Sequence, residues 1–235
     1  MKKEGRFAVF NFVRKDEKLI DELCGYLDNN AEEIFNFFEL DICQETIKPQ
    51  INIIPNKKSF DKCYNKDHNL PQGQIVEDWI IGYYNSKNNK IVYLSLNDYK
   101  STAHAGLLQD YDKALDYYKK TIMHEFVHYT NGLYCRKHSC GHTIKYLSEG
   151  LASYLSRQRE NKKIEFCYTL EDILSYKKPC YDGWDLMTRF LVENYPKNFV
   201  LDLIKDRHKS EDFLKKELYP KVKNKYWSKV NIGTR

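Results

Sequence analysis

The sequence contains little of what divides a chain into separate parts. Its 6 Pro and 10 Gly are scattered over 235 residues and form no Gly/Pro/Ser-rich linker. It has no internal repeat, and no apolar run approaches the roughly 18 residues that a transmembrane helix needs. These absences argue against a repeat protein and against a helical membrane protein. They favour a single compact domain, which we expect to consist of two lobes.

The chain also lacks the cysteine pattern of a disulfide scaffold. Its 7 Cys are odd in number and irregularly spaced, and no Cys-x-x-Cys pair occurs. The short apolar stretch at residues 7–13 ends at Arg14-Lys15 without the small-residue cleavage site of a signal peptide. We therefore expect a cytoplasmic protein in a reducing compartment, with no membrane anchor.

Strong charge of either sign is absent as well. The net charge is +5, and the densest basic segment, residues 215–225, matches no nucleic-acid-binding motif. We interpret this segment as a solvated helix face and expect no nucleic-acid partner. What the chain does contain is 42% hydrophobic and 14% aromatic residues, which is enough to build a substantial core.

The hydrophobic pattern predicts an α+β fold that begins with a small mixed sheet and a helix. Turn residues and prolines separate the strand-like stretches, and an Asn- and Lys-rich turn connects the last two as a hairpin. A helix is predicted from Glu17 to Phe38 with Asp16 as its cap, and residues 28–30 leave open an interruption or a second cap within it. Residues 57–74 are predicted to be a loop that includes at most one helical turn. The predicted strands are residues 7–13, 50–54, 78–84 and 91–96.

The second half of the chain is predicted to be helical. Its first helix should cover residues 111–131, with Gly132 in the position after its end. Ser210 is the predicted cap of the last helix. We expect an N-terminal α/β lobe of about residues 1–132, a helical lobe of about residues 133–235, and an active site between the lobes. The remaining predicted helices are residues 144–159, 169–176, 181–194, 199–206 and 211–223.

The pattern His-Glu-x-x-His occurs at residues 124–128, inside the first of these helices. On a helix, His124 and His128 lie on the same face one turn apart, so their imidazole nitrogens can converge on one zinc ion. Glu125 follows the first histidine and is placed to take a proton from the attacking water in a metal-assisted hydrolysis. The spacing therefore predicts a catalytic zinc site on this helix.

A catalytic zinc usually has a third protein ligand, and Glu149 is the candidate. It lies 21 residues after His128, so a helix, a loop and an antiparallel second helix could return it to the histidine pair. Gly150 and Ala152 are small and would allow these two helices to approach closely. The metzincin form of the motif is excluded, because Tyr134 occupies the position of its third histidine.

A second group of metal-capable side chains lies between these two helices. Its spacing matches no structural zinc pattern, which leaves open a second metal, a redox pair or an ordinary loop. The group consists of Cys135, His138, Cys140 and His142.

The motif followed about twenty residues later by Glu-Gly-x-Ala-x-Tyr, at residues 149–154, resembles the gluzincin zinc metallopeptidases of the peptidase MA superfamily. This group includes thermolysin-like, aminopeptidase-like and collagenase-like catalytic domains. Small single-domain bacterial members also have a strand–helix start and a Trp-x-x-Gly-x-Tyr hairpin, as at residues 79–84. Aminopeptidase-like members place a Tyr ten residues before a Leu, and Tyr181 and Leu191 keep that spacing. Tyr176 is a second candidate for the same role.

The resemblance, which spans roughly residues 7–205, implies a zincin-like fold and a peptidase with one Zn²⁺ ion. His124, His128 and Glu149 would bind the ion, Glu125 would act as the base, and Tyr181 would donate a hydrogen bond to the oxyanion. Thermolysin-like members have an Asp four residues after the ligand Glu, as a partner for a ligand histidine. Because that position is Ser153 here, either another group orients the imidazole or the histidine is held less firmly.

The implied partner is a peptide or protein substrate, bound by a monomer. By the same resemblance, the strand at residues 91–96 would be the edge strand that pairs with extended substrate, although an ordinary sheet strand is an equal alternative. No exopeptidase anchor for a free amino terminus is recognisable, which favours an endopeptidase.

The alternative function is a catalytically degenerate zincin-fold binding protein with a structural zinc. A basic surface-binding protein with an accidental motif is the third reading.

Overall fold

Apolar residues in the first part of the chain form a mixed five-stranded sheet in the computed structural model, and the second part is helical. The structure describes residues 1–42, 48–71, 73–160, 162–164, 166–175 and 180–226. The fold is mixed α/β and mainly helical. It divides into two compact units, Met1–Tyr129 and Thr130–Arg235.

The sheet belongs to the first unit. Its strands are β1 (Lys2–Glu4), β2 (Val9–Asn11), β3 (Gln50–Ile54), β4 (Gly82–Asn85) and β5 (Lys90–Leu94). They lie in the order β1-β2-β3-β5-β4. The β2–β3 and β3–β5 pairs are parallel, whereas the outer pairs β1–β2 and β4–β5 are antiparallel. The mixed sheet was therefore predicted correctly, except that β1 was not foreseen.

The strand β5 lies inside the sheet. Its residues 91–94 are all buried at consecutive positions, which is the pattern of a strand covered on both faces. The expectation that residues 91–96 form an edge strand is wrong, because β5 pairs with β3 on one side and with β4 on the other. In the part of the chain that the structure describes, β4 is the outer strand on this side of the sheet.

The helix α1 (Glu17–Phe37) follows β2 and is continuous, as its apolar spacing predicts. Asp16 precedes it, but the Asp16 side chain makes no capping hydrogen bond to the helix. Its buried carboxylate instead accepts hydrogen bonds from Ser95 Oγ at 2.6 Å and from Asn97 Nδ2 at 2.7 Å. The predicted cap is wrong: both distant side chains bond Oδ1, and Oδ2 is buried without a hydrogen bond to the described residues.

The predicted loop at residues 57–74 contains a three-turn helix, α2 (Lys57–Asp67). The side chain of Asn56 caps it by accepting a hydrogen bond from Ser59 N at 2.9 Å. The helix has few apolar residues, and Phe60 is its only buried hydrophobic side chain. The apolar periodicity was therefore too weak to reveal it.

The helix α3 (Tyr111–Lys137) carries the His-Glu-x-x-His motif and is longer than predicted. Two short 3-10 helices, Leu96–Ser101 and Ala105–Gln109, connect it to β5. Gly132 does not end α3 but lies within it. The next residues, Leu133 and Tyr134, are buried, and this packing stabilises a helix across a position where glycine costs about 1 kcal/mol.

The described part of the second unit is built from helices. They are α4 (Lys145–Leu155), α5 (Leu170–Ser175), α6 (Tyr181–Asn194), α7 (Lys197–Lys205), α8 (Arg207–Phe213) and, after a π-helical turn, α9 (Tyr219–Tyr226). The bounds of α6 are those predicted. Ser210 is not a cap: Asp206 accepts the capping bond from Lys209 N at 3.0 Å, and Ser210 is buried against the Tyr146 hydroxyl. No helix within the described ranges is long and apolar enough to cross a membrane.

The helices α4 and α6 are in close contact at Gly150. A Cβ atom added there would lie 2.0 Å from Thr188 Oγ1 and 2.6 Å from the carbonyl oxygen of Trp184. Gly150 thus allows α4 to pack closely against α6. From the sequence we expected it to allow close packing against the histidine helix instead. The tight crossing fixes the helix that carries Glu149.

Replacing Gly150 with Ala should lower the free energy of unfolding by about 1–3 kcal/mol, because the added methyl group overpacks the crossing of α4 and α6. The matched control is Gly25→Ala in α1, where no atom lies within 4 Å of the added Cβ. That variant should gain about 0.5–1 kcal/mol, since alanine favours a helix interior over glycine. Urea denaturation of both variants measures the difference. A Gly150→Ala variant as stable as the wild type would contradict the close approach.

Candidate metal centre

His124 and His128 lie one turn apart on α3 and turn their rings toward each other. Their Nε2 atoms are 3.1 Å apart, and the ring planes meet at 78°. In a tetrahedral site with zinc–nitrogen bonds of about 2.0–2.1 Å, two ligand nitrogens are separated by roughly 3.3 Å. The observed distance is close to that value, so the helix spacing alone brings both nitrogens to ligand positions.

Glu149 on α4 offers the third candidate ligand atom. The ligand atoms of His124, His128 and Glu149 all lie within 4.8 Å of one another. This upper limit is wider than the roughly 3.3 Å between two ligand atoms of a tetrahedral zinc site. Two imidazoles and one carboxylate form a donor set that fits a catalytic zinc ion and leaves one position open for water.

The exposure of these side chains differs along the cluster. His124 is buried, with 7% of its surface exposed, whereas His128 and Glu149 are half-buried. Glu125, which follows the first ligand, is also half-buried. His124 is therefore the least exposed of the three candidate ligands.

An aromatic residue between the two histidines, Phe126, packs α3 against the rest of the first unit. Phe126 is fully buried, and its ring centroid lies 6.0 Å from that of Phe35 in α1 and 5.5 Å from that of Tyr129. The Tyr129 ring in turn contacts the ring of Tyr84 in β4 at 6.1 Å. These contacts fix the rotation of the helix, so the histidines are presented by a rigid element.

Tyr93 on β5 is a residue near Glu125 that the sequence did not identify. Burial raises the pKa of its phenol well above the usual range, and the nearby Tyr117 hydroxyl and Glu125 carboxylate raise it further. The Tyr93 ring covers Gly82, where an added Cβ would lie 2.0 Å away. The only sequence signal is a glycine opposite an aromatic residue in the hairpin, which also occurs in ordinary hairpins.

Tyr181 is the first residue of α6 and is half-buried. Its ring contacts Trp184 edge-on at 5.3 Å, and the guanidinium of Arg159 lies 5.5 Å from the ring centre. Gly183 lies inside the first turn of this helix, against Tyr168. The role of Tyr181 as an oxyanion donor stays a prediction, and Tyr176 lies outside the described residues.

Ser153 occupies the position of the acidic partner in thermolysin-like enzymes. Its hydroxyl oxygen is buried and forms no hydrogen bond with the described residues. It therefore does not orient a ligand histidine in this structure. The Thr188 hydroxyl and one carboxylate oxygen of Asp185, both on the neighbouring α6, are also buried and form no hydrogen bond with the described residues.

The loop after α3 does not form a second metal cluster. Within the described residues, the three ligands above are the only group of His, Cys, Asp or Glu side chains close enough to hold an ion. Cys135 instead contacts oxygen atoms, with its Sγ 3.5 Å from Thr143 Oγ1 and 3.8 Å from Asn131 Oδ1. Of the alternatives for this loop, the second metal is thus not supported.

Comparison with known proteins gives no independent assignment of this site: no protein-family model, no curated protein and no solved structure matches the chain.

Proposed function

We propose that this protein is a zinc-dependent peptidase of the gluzincin type, with a zincin-like arrangement of sheet and metal helices. The observation that carries the proposal is the convergence of His124, His128 and Glu149, with Glu125 directly beside the first ligand. The spacing of the histidines is local, but the return of Glu149 depends on the fold. If the His-Glu-x-x-His pattern were accidental, there would be no reason for a carboxylate from another helix to lie next to the two histidines.

The donor set favours zinc over other common ions. Calcium and magnesium prefer sites made of oxygen atoms, whereas two imidazoles with one carboxylate are typical of zinc in hydrolases. Three protein ligands distinguish a catalytic site from a structural one, which is usually closed by four. The half-exposed His128 and Glu149 agree with a site that water and substrate can enter.

The chemistry divides between the ion and the protein side chains. When bound, zinc polarises the scissile carbonyl and makes water more acidic. Glu125 accepts a proton from the attacking water and passes it to the leaving amine. Tyr181 donates a hydrogen bond to the oxyanion, a contact that strengthens as negative charge develops on that oxygen.

The substrate of this proposal is a peptide or protein segment in an extended conformation. Because β5 is an inner strand, we assign substrate pairing to the outer strand β4 instead. The aromatic contact between Tyr84 on β4 and Tyr129 on α3 links this strand to the histidine helix. We favour endopeptidase activity by a cytoplasmic monomer. The cytoplasmic location rests on the cysteine pattern and on the unbridged state of all six described cysteines.

The proposal is tested by measuring zinc content and peptide cleavage on the same sample. We expect one zinc ion per chain after dialysis and cleavage of a mixed peptide library, detected by mass spectrometry. A chelator should abolish cleavage, and added zinc should restore it. Bound zinc without any cleavage would instead support the binding protein with a structural zinc. Absence of zinc binding would identify the motif as accidental.

A further inference from the structure

The C-terminal end of α3 brings two cysteines together. The N–H of Cys140 donates to the carbonyl oxygen of Cys135 at 3.0 Å, and the N–H of Ser139 donates to that of Arg136 at 3.2 Å. Ser139 has a φ of 50°, which is the left-handed region. These two bonds around a left-handed residue define a Schellman motif, the arrangement that ends this helix.

The motif determines which two side chains meet. In a Schellman motif, the residue after the left-handed position contacts a residue in the last turn of the helix, usually through apolar side chains. Here both positions are cysteine. Residues joined by a main-chain hydrogen bond have Cα atoms roughly 5–6 Å apart, which lies within the range of about 4.4–6.8 Å found for disulfides.

The two cysteines are unbridged and keep part of their surface exposed. Cys135 and Cys140 are both half-buried free thiols. The Cys140 thiol lies 3.6 Å from the carbonyl oxygen of Cys135, so it points back toward the helix end. The main-chain hydrogen bond between the two residues already holds them next to each other.

The electrostatic setting favours the oxidised form of the pair. Burial, and next the hydrogen bond with the Cys135 thiol, raise the pKa of Cys140 to about 11, although the charge of Lys205 acts in the opposite direction. Dithiols that oxidise other proteins stabilise a thiolate in their reduced form. The raised pKa of Cys140 disfavours its thiolate, so the disulfide would form slowly and resist reduction once formed.

We infer that Cys135 and Cys140 are a thiol pair that forms an intramolecular disulfide with a low-molecular-weight disulfide such as oxidised glutathione. One cysteine thiolate attacks the reagent, forms a mixed disulfide and releases one glutathione. The second cysteine thiolate then attacks the protein sulfur of that mixed disulfide and releases the other glutathione. The protein loses two electrons and two protons, and the reagent becomes two thiols.

The bond would lock the end of α3 at the start of the segment that connects it to α4. These two helices carry the three candidate ligands, but neither cysteine belongs to the metal cluster. The inference therefore does not depend on the proposed peptidase function. It requires only the helix end and the two thiols.

The chain offers a direct test, because trypsin cleaves after Arg136 and Lys137, between the two cysteines. Reduced, folded protein is incubated with oxidised glutathione, quenched with acid, alkylated and digested under denaturing conditions. Cys135 then lies in peptide 121–136 and Cys140 in peptide 138–145. We expect the two peptides to appear as one linked species that lacks two hydrogens and separates on reduction.

Single variants check the pairing. In Cys135→Ser and in Cys140→Ser, the remaining cysteine should carry a glutathione adduct, and the linked species should vanish. The matched control is Cys63→Ser in α2, which removes another half-buried thiol and should retain the link. Separate glutathione adducts on both wild-type peptides, unmodified thiols, or a link from Cys140 to any other cysteine would overturn the inference.

Discussion

The Glu125→Gln variant should lose peptide hydrolysis almost completely while it still binds zinc. General acid–base catalysis typically contributes about 10²–10⁴-fold to a rate, and glutamine cannot accept the proton of the attacking water. The amide has nearly the same size as the carboxylate, so the fold and the three ligands should remain. Initial rates of peptide cleavage and the zinc content of the same sample measure the effect.

The control for this variant is Asp116→Asn, which removes a carboxylate from the same helix. The Asp116 side chain is 60% exposed and pairs with Lys120, so its loss should leave activity and zinc content unchanged. Hydrolysis by Glu125→Gln at a rate near that of the wild type would remove Glu125 as the base. The zinc site itself would then need a different function.

The Glu149→Ala variant should bind zinc more than about 100-fold more weakly. Loss of a group that only supports a ligand usually costs 10–100-fold in affinity, so loss of the ligand itself should exceed that range. Competition with a fluorescent chelator measures the affinity. Since zinc that binds only the folded state raises the melting temperature, the zinc-induced shift should also largely disappear.

A matched control for the third ligand is Glu171→Ala, at an exposed position of α5. It should keep the affinity and the thermal shift of the wild type. The melting temperature of each variant in the presence of chelator reports the fold without metal. Unchanged zinc affinity in a folded Glu149→Ala protein would show that the third ligand is another residue.

The sequence predicts those elements whose signals are local. The strand β3 is flanked by Pro49 and Pro55, and α6 has a regular apolar face that ends just before Pro196. The helix α2 was missed because its only buried hydrophobic residue, Phe60, gives no periodicity. Its Asn56 cap is a signal that could have revealed it.

Elements that depend on distant contacts were predicted less well. The strand β1 is short and charged and acquires its conformation by pairing with β2. The end of α3 was placed at Gly132 from glycine preference alone, whereas buried Leu133 and Tyr134 extend the helix to a left-handed Ser139. Asp16 has the residue type of a helix cap, but the side chains of Ser95 and Asn97 determine its actual bonds.

In the candidate site, too, the residues with local signals were predictable and those that depend on distant contacts were less so. His124, Glu125 and His128 were predictable because they lie on one helix with fixed geometry. The prediction of Glu149 as their neighbour required the correct sense of the following helix, and the structure brings its carboxylate within metal-binding distance. The position of Tyr93 could not be predicted, since it depends on the register of the β4–β5 hairpin.

In the proposed peptidase, the shortness of β4 limits how many main-chain hydrogen bonds a substrate can form with the protein. The strand has only four residues, and in an antiparallel pair the main-chain groups of every second residue point away from the partner strand. An added strand could therefore form only a few hydrogen bonds there. Extending a peptide far beyond the scissile bond should gain little affinity, so the choice among substrates would depend on side chains close to the cleaved bond.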